Sequence, residues 1–235
     1  MSRLSIDPIT IEVVQNALSS IADELALVIM RAAYSNIVRD SMDYSTAVCD
    51  FDGRTIAQGL TNPVHLGSFP HAMKSLISQQ KGKMNKGDIF IFNDPYGAGG
   101  MHLPDFYIVK PVFFDGSVEG YTATLAHQTD VGGIAPGGMG VFSQEIYQEG
   151  LRIPILKLYD QDRPNESIFK IIKKNTRMPS SVMGDIRSQI AACKTGEKAF
   201  IDLLKTYGRR KFREICEEIH NYAERIIRSH ILKLP

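Results

Sequence analysis

Residues 106–126 read FYIVKPVFFDGSVEGYTATLA, two apolar runs joined by Asp115-Gly116. Aspartate followed by glycine between two such runs is a hairpin signal, because glycine tolerates the positive φ that a tight turn requires. The stretch therefore predicts two antiparallel strands, Phe106–Phe114 and Tyr121–Ala126. The side chains best suited to chemistry directly precede the first strand and directly follow the second.

Other periodic segments surround this hairpin. Apolar residues at helical spacing follow Asp7-Pro8, where aspartate suits the cap and proline suits the first helical position. Helices are predicted over residues 8–34 and 68–79 and from residue 165 to about 232, and strands over 45–49, 54–57 and 88–92. We therefore expect one α+β domain over residues 1–235, with an N-terminal helix, a central mixed or antiparallel β-rich region with glycine-rich loops, and C-terminal helices.

Composition argues against several classes of partner. Lys and Arg total 27 and Asp and Glu total 26, so the net charge of +1 favours neither nucleic acid nor an anionic membrane surface. The three cysteines, Cys49, Cys193 and Cys216, form no CxxC motif, which is typical of free thiols in a reducing compartment. No apolar signal core opens the sequence and no run approaches 18 apolar residues, so we expect a cytoplasmic protein without a membrane span.

The candidate site lies around the ends of the predicted hairpin. His102 and Asp105 end the glycine-rich stretch 93–105 just before the first strand, and His127 and Asp130 follow the second. Two imidazoles and one carboxylate from His102, Asp105 and His127 would form a facial triad for Mn²⁺, Fe²⁺ or Zn²⁺, with positions open for substrate or water. The alternative is that both histidines are loop residues held by ordinary hydrogen bonds.

Other polar residues are weaker candidates. Residues 131–143 hold five glycines and predict a ligand-shaping loop, but no nucleotide-binding motif accompanies them. His65 and His71 are interpreted as core or helix-cap histidines. Either Asp40 or Asp43, which precede the first strand, could face the central cavity.

Seven motifs are distributed along the whole sequence. They are Asp7-Pro8-Ile9-Thr10, PVHLGS at 63–68, NDPY at 93–96, HLPD at 102–105, AHQTDVGG at 126–133, EIYQEGLRIP at 145–154 and GDIRSQIAA at 184–192. In this order they resemble the hydantoinase B family, which includes subunits of N-methylhydantoinases, 5-oxoprolinases, related lactamases, and acetone and acetophenone carboxylases. The resemblance covers the N-terminal part of such a subunit.

The resemblance implies a division of labour between subunits. A hydantoinase A-type partner would bind ATP and phosphorylate the small-molecule substrate, and the B-type subunit would process the activated intermediate at a metal. His102, Asp105 and His127 match the family's ligand motif, with manganese the expected ion. Asp43 lies in Met42-Asp43-Tyr44-Ser45, where the family has a related pattern, and is the expected general base or water-positioning group.

The sequence also departs from the family in two ways. Gln128 stands where the family often has a second histidine, and B-type subunits are usually much longer. We therefore expect a separate chain to supply the missing half of a cyclic-amide hydrolase subunit. The alternatives are a ketone carboxylase subunit, a truncated non-catalytic assembly subunit, and a stand-alone metal oxygenase with the same triad.

Overall fold

A seven-stranded sheet forms the centre of the molecule. The structure, a computed structural model, describes residues 6–59, 61–138 and 140–234. The strands are β1 (Tyr44–Asp50), β2 (Thr55–Gln58), β3 (Ile89–Phe92), β4 (Asp105–Phe114), β5 (Ser117–His127), β6 (Leu156–Asp160) and β7 (Arg163–Pro164). Their order across the sheet is β2-β1-β5-β4-β3-β6-β7, and neighbouring strands are antiparallel. The central β-rich region expected from the sequence is thus a fully antiparallel sheet.

Six α-helices precede, interrupt and follow the strands. They are α1 (Pro8–Ala32), α2 (Asn36–Arg39), α3 (Phe69–Gln80), α4 (Glu166–Asn175), α5 (Pro179–Tyr207) and α6 (Arg209–Ile231), within the described part of the chain. The cap of α1 is the expected one, since Asp7 accepts a hydrogen bond from the Thr10 N–H at 2.9 Å. The predicted α+β class, with helices at both ends, is confirmed.

The predicted hairpin is the pair β4–β5. Its register places Phe114 opposite Ser117 at the turn and Asp105 opposite His127 at the open end. The second strand begins at Ser117, four residues before its predicted start, with an irregularity between Val112 and Phe113. Both strands are therefore long enough to carry the two polar residues to the same edge of the sheet.

Helices cover both faces of the sheet. Phe106 and Ile108 of β4 pack with α4 and α5, while the alternate residues Tyr107 and Val109 pack with α3. Helices α1 and α6 extend the first of these layers through a cluster that includes Leu18 and other fully buried side chains. Because both faces are buried, β4 is apolar along most of its length rather than alternating.

The N-terminal helix qualifies the expectation that the protein has no membrane span. By length and composition alone, α1 could cross a membrane. Its Leu18, Leu25 and Ile29 side chains are fully buried in the protein core, which is also how the core helix of a globular protein behaves.

Candidate metal centre

The open end of the β4–β5 hairpin gathers the three predicted ligands. Asp105 and His127 are register partners, and the Asp105 N–H donates to the His102 carbonyl at 3.1 Å, which closes the turn that carries His102. His102 Nε2 lies 2.8 Å and His127 Nδ1 lies 3.3 Å from Asp105 Oδ1. One ligand atom from each of the three residues lies within 4.8 Å of the others. The structure thus brings His102, Asp105 and His127 together.

The Asp105 carboxylate has an environment that suits a cation. Its side chain is 1% exposed, and neither oxygen accepts a hydrogen bond. The polar side-chain groups that approach Oδ1 most closely are His102 Nε2 at 2.8 Å and His127 Nδ1 at 3.3 Å. A buried carboxylate is costly to a fold unless positive charge compensates it. Two imidazole nitrogens and such a carboxylate fit Mn²⁺, Fe²⁺ or Zn²⁺.

Electrostatics link the three side chains. Burial raises the pKa of the Asp105 carboxyl, but His102 and His127 outweigh burial and hold this pKa below its ordinary value. Burial lowers the pKa of His102, whereas the neighbouring Asp105 raises it by more, so the net shift is upward. Protons and metal cations therefore compete for the same small cluster.

Asp43 also faces the cluster. It lies between α2 and β1, where its N–H donates to the Ile37 carbonyl at 3.1 Å and its carbonyl accepts the His127 N–H at 3.0 Å. Asp43 Oδ2 lies 3.8 Å from His127 Nδ1, and its side chain remains 27% exposed. Asp40, the alternative from the sequence, pairs with Arg39 at the surface. Of the two aspartates, Asp43 is the one placed to act at the site.

His65 is a site neighbour that the sequence interpretation missed. Its Nε2 atom lies 3.3 Å from Asp43 Oδ1 and 3.9 Å from Asp105 Oδ2, and its ring is buried. Burial lowers the pKa of the imidazole, and the carboxylates of Asp105 and Asp43 offset this only in part. In the sequence, only the motif at 63–68 drew attention to His65. The separation along the chain between this motif and residues 102–127 gives no indication that the two segments are in contact. His71, the other histidine considered, is exposed on α3.

An ion pair anchors the glycine-rich loop after β5. Asp130, which the sequence placed near the metal triad, instead accepts from the Arg177 guanidinium at 2.9 Å and from the Gly137 N–H at 3.2 Å. The same guanidinium donates to the carbonyls of Gly132 and Gly133 at 3.1 and 2.6 Å. Asp130 therefore shapes the loop beside the site.

Comparison with known proteins places this geometry in context. The sequence profile described as Hydantoinase B/oxoprolinase matches residues 7–235. The beta chain of a caprolactamase from Pseudomonas jessenii is 35% identical over 231 residues, and the B-type chain of a putative D-/L-hydantoinase from a Pseudomonas species is 34% identical over 235. Each of these two matches covers 98% of this chain but 40% of the relative. A 5-oxoprolinase from Dictyostelium discoideum is 31% identical over 95% of this chain and 18% of its own length.

Solved structures give the same result. The crystal structure of the ATP-dependent caprolactamase from Pseudomonas jessenii superposes with a TM-score of 0.91 at 34% identity, over 98% of this chain and 40% of that one. The nucleotide-free structure of an acetone carboxylase gives a TM-score of 0.85 at 21% identity, over 91% of this chain and 28% of that one, which is a likeness of fold. This chain thus spans about 40% of the length of its bacterial relatives.

Proposed function

This chain belongs to the hydantoinase B/oxoprolinase family, and from that premise we propose that it forms the metal-binding part of an ATP-dependent cyclic-amide hydrolase. The observation that carries the proposal is the convergence of two histidine nitrogens on the buried Asp105 carboxylate, at 2.8 and 3.3 Å from its Oδ1 atom. The named relatives support the reaction class, since they include chains of a caprolactamase and a putative hydantoinase, and a 5-oxoprolinase.

The site residues have distinct roles in this proposal. His102, Asp105 and His127 hold the divalent ion, with manganese the first candidate and zinc or iron the alternatives. Such an ion would lower the pKa of a bound water toward neutrality. Asp43 is partly exposed beside His127 and is the residue that would accept a proton from an attacking water. The exposed edge of the site, at His102 and Asp43, is the side from which substrate enters.

The chain requires partners to complete the reaction. A cyclic amide resists hydrolysis because resonance stabilises it, so the proposed route begins with phosphorylation of its oxygen. The sequence has no Gly-Lys-Ser/Thr phosphate loop, and we assign ATP binding to a hydantoinase A-type subunit. This chain spans about 40% of its bacterial relatives, and the remainder of the family's length is a further part of the proposed assembly. The cytoplasm, where ATP is available, is the proposed location.

A metal-binding measurement tests the site itself. Purified wild-type chain should bind Mn²⁺ in a titration followed by EPR, whereas His102→Gln, Asp105→Asn and His127→Gln should each weaken binding by about tenfold or more. His71→Gln is the matched control, because that histidine is exposed and distant in sequence from the ligands. Equal Mn²⁺ affinity in the control and the three site variants would refute the proposed centre.

Reconstitution tests the reaction. The isolated chain should show no turnover, while co-expression with an A-type subunit and the complementary chain should give ATP-dependent hydrolysis of 5-oxoproline, hydantoin or caprolactam. Asp43→Asn should lower kcat by about 100-fold or more and leave Mn²⁺ binding intact, because it removes the proposed base. ATP-dependent consumption of acetone and bicarbonate by the assembly would instead establish the carboxylase alternative. An inactive assembly with intact subunits would favour the non-catalytic alternative.

A further inference from the structure

The orientation of the His65 ring is fixed from outside the proposed metal centre, on which this inference rests. The Ser45 hydroxyl donates its single proton to the Asn62 carbonyl at 2.9 Å, and Ser45 Oγ lies 3.1 Å from His65 Nδ1. With its proton already used, Ser45 Oγ accepts from Nδ1–H. A neutral imidazole protonated at Nδ1 has its lone pair on Nε2. The hydrogen-bond pattern therefore turns a nitrogen lone pair toward the site.

Two carboxylates face that lone pair. His65 Nε2 lies 3.3 Å from Asp43 Oδ1 and 3.9 Å from Asp105 Oδ2. Asp105 Oδ2 is the oxygen opposite the one that His102 and His127 approach, and it too accepts no hydrogen bond. Lone pairs from three side chains thus converge near Asp105 Oδ2, which accepts no hydrogen bond, and they repel one another unless a cation or a proton lies among them.

The turn that carries His65 is rigid enough to present this atom. The Ser68 hydroxyl donates to the His65 carbonyl at 2.6 Å, and the Tyr107 hydroxyl of β4 donates to Ser68 at 2.5 Å. His65 itself is 3% exposed. These contacts connect the turn to the same strand that begins with Asp105, so His65 and Asp105 are held on one framework.

We propose that His65 is a third imidazole ligand of the metal centre, bound through Nε2 on the Asp105 Oδ2 side. The centre would then hold four side chains rather than the three of the facial triad. Ser45 acts indirectly, because its hydroxyl accepts from Nδ1–H and so selects the His65 tautomer whose Nε2 atom can coordinate a metal. Such outer partners of metal-bound histidines commonly change metal affinity by about 10–100-fold when removed.

Pulsed EPR of the Mn²⁺-loaded chain tests the assignment without reference to activity. Electron spin-echo modulation should report three coordinated imidazole nitrogens in wild type and in the His71→Gln control. His65→Gln should show two, with Mn²⁺ affinity reduced by about tenfold or more. Ser45→Ala should keep the third nitrogen but bind Mn²⁺ more weakly. Circular dichroism of each metal-free variant establishes that it is folded before loading, and Ser45→Ala provides an independent result if His65→Gln is not.

The outcomes separate this inference from the proposed function. Two imidazole nitrogens in wild type, with binding still sensitive to His102→Gln, would overturn the role of His65 and leave the triad standing. Two imidazole nitrogens would also be observed if His65 and Asp43 only share a proton, and His65 would then not be a ligand. Failure of wild type to bind Mn²⁺, Zn²⁺ or Fe²⁺ would overturn both.

Discussion

Two buried aspartates show at the scale of single residues how structural and functional carboxylates differ. Asp50, at the end of β1, accepts from the N–H groups of Asp52 and Arg54 at 3.0 and 2.9 Å and from Arg54 Nε at 2.9 Å, and His220 Nε2 lies 3.1 Å away. Asp105 is equally buried and accepts nothing. The neighbours of Asp50 are hydrogen-bond donors of its own turn and of α6, whereas the neighbours of Asp105 are the two histidines of the candidate metal centre.

Asp50→Asn should therefore destabilise the chain. Burial raises the pKa of Asp50, but His220 and Arg54 outweigh it and leave this pKa below its ordinary value. The carboxylate thus contributes stability above about pH 4, near its unfolded pKa, and this contribution is lost as the pH falls toward the folded value. We expect a loss of about 2 kcal/mol at pH 7, measured by urea unfolding, that shrinks below about pH 4.

Asp52→Asn, at the exposed tip of the same turn, is the matched control and should have little effect. An Asp50→Asn loss that stays constant from pH 7 to pH 3 would contradict the assigned role of its charge.

At the scale of elements, α5 explains a motif that has no catalytic chemistry. Gln189 donates to the Phe106 carbonyl at 2.9 Å, and Asp185 accepts the Tyr34 and Ser35 N–H groups at 2.7 and 3.1 Å. A Cβ at Gly184 would lie 2.2 Å from the Tyr34 ring. The motif at 184–192 thus docks α5 against β4 and the segment between α1 and α2. It supports the site without touching the ligands.

A close approach between β5 and its neighbours gives a second prediction. A Cβ at Gly120 would lie 2.4 Å from Phe200 Cζ and 2.6 Å from the Cys49 carbonyl oxygen of the paired strand β1. Because a backbone atom cannot move aside cheaply, Gly120→Ala should lower the free energy of unfolding by about 2 kcal/mol. Thermal and urea unfolding would measure it. Gly67→Ala, whose Cβ would meet nothing within 4 Å, should be nearly neutral. Equal effects would contradict this packing.

The sequence predicted the elements better than their long-range pairing. The spacing of apolar residues and the identity of the turn residues are enough to predict α1 and the β4–β5 hairpin, because the contacts within these elements are local. Strand β6 pairs with the edge of β3 and is half-exposed, so its run Leu156–Asp160 lacks the apolar pattern that identified the others. His65 was missed for the same reason: its contacts depend on how the segment 63–68 folds back over the sheet.

At the scale of the whole molecule, α6 divides into two halves. Its first half is anchored by Phe212, Ile215, Cys216 and Ile219, all buried. Beyond residue 220 the helix runs on with exposed apolar side chains, including Ile227 at 59% and Ile231 at 58%. An unpartnered apolar surface of this kind marks an interaction site. The remainder of the family's length, which this chain does not span, is the occupant that we propose for it.

Ile227→Glu combined with Ile231→Glu should therefore abolish assembly and leave the fold intact. The wild-type chain should elute as a complex with a co-expressed complementary chain in size-exclusion chromatography with light scattering, and the double variant as the chain alone. Ser229→Glu, on another side of the helix, controls for added charge. Equal melting temperatures for the wild-type chain and the double variant would show that assembly is lost because the contact is lost and not because the chain unfolds. A wild-type chain that stays monomeric beside its complement would contradict the assignment.

Asp105 lies opposite His127 in the register of β4 and β5, and this has a consequence for how the chain folds during its synthesis. Asp105 and His127 are the two ends of one hairpin closed by the Asp115-Gly116 turn, and His102 precedes it by three residues, so their convergence requires only a local loop closure. Helices α5 and α6 leave the ribosome later. The ion proposed for this site would then meet its first ligands while translation continues, before the last two helices have been synthesised.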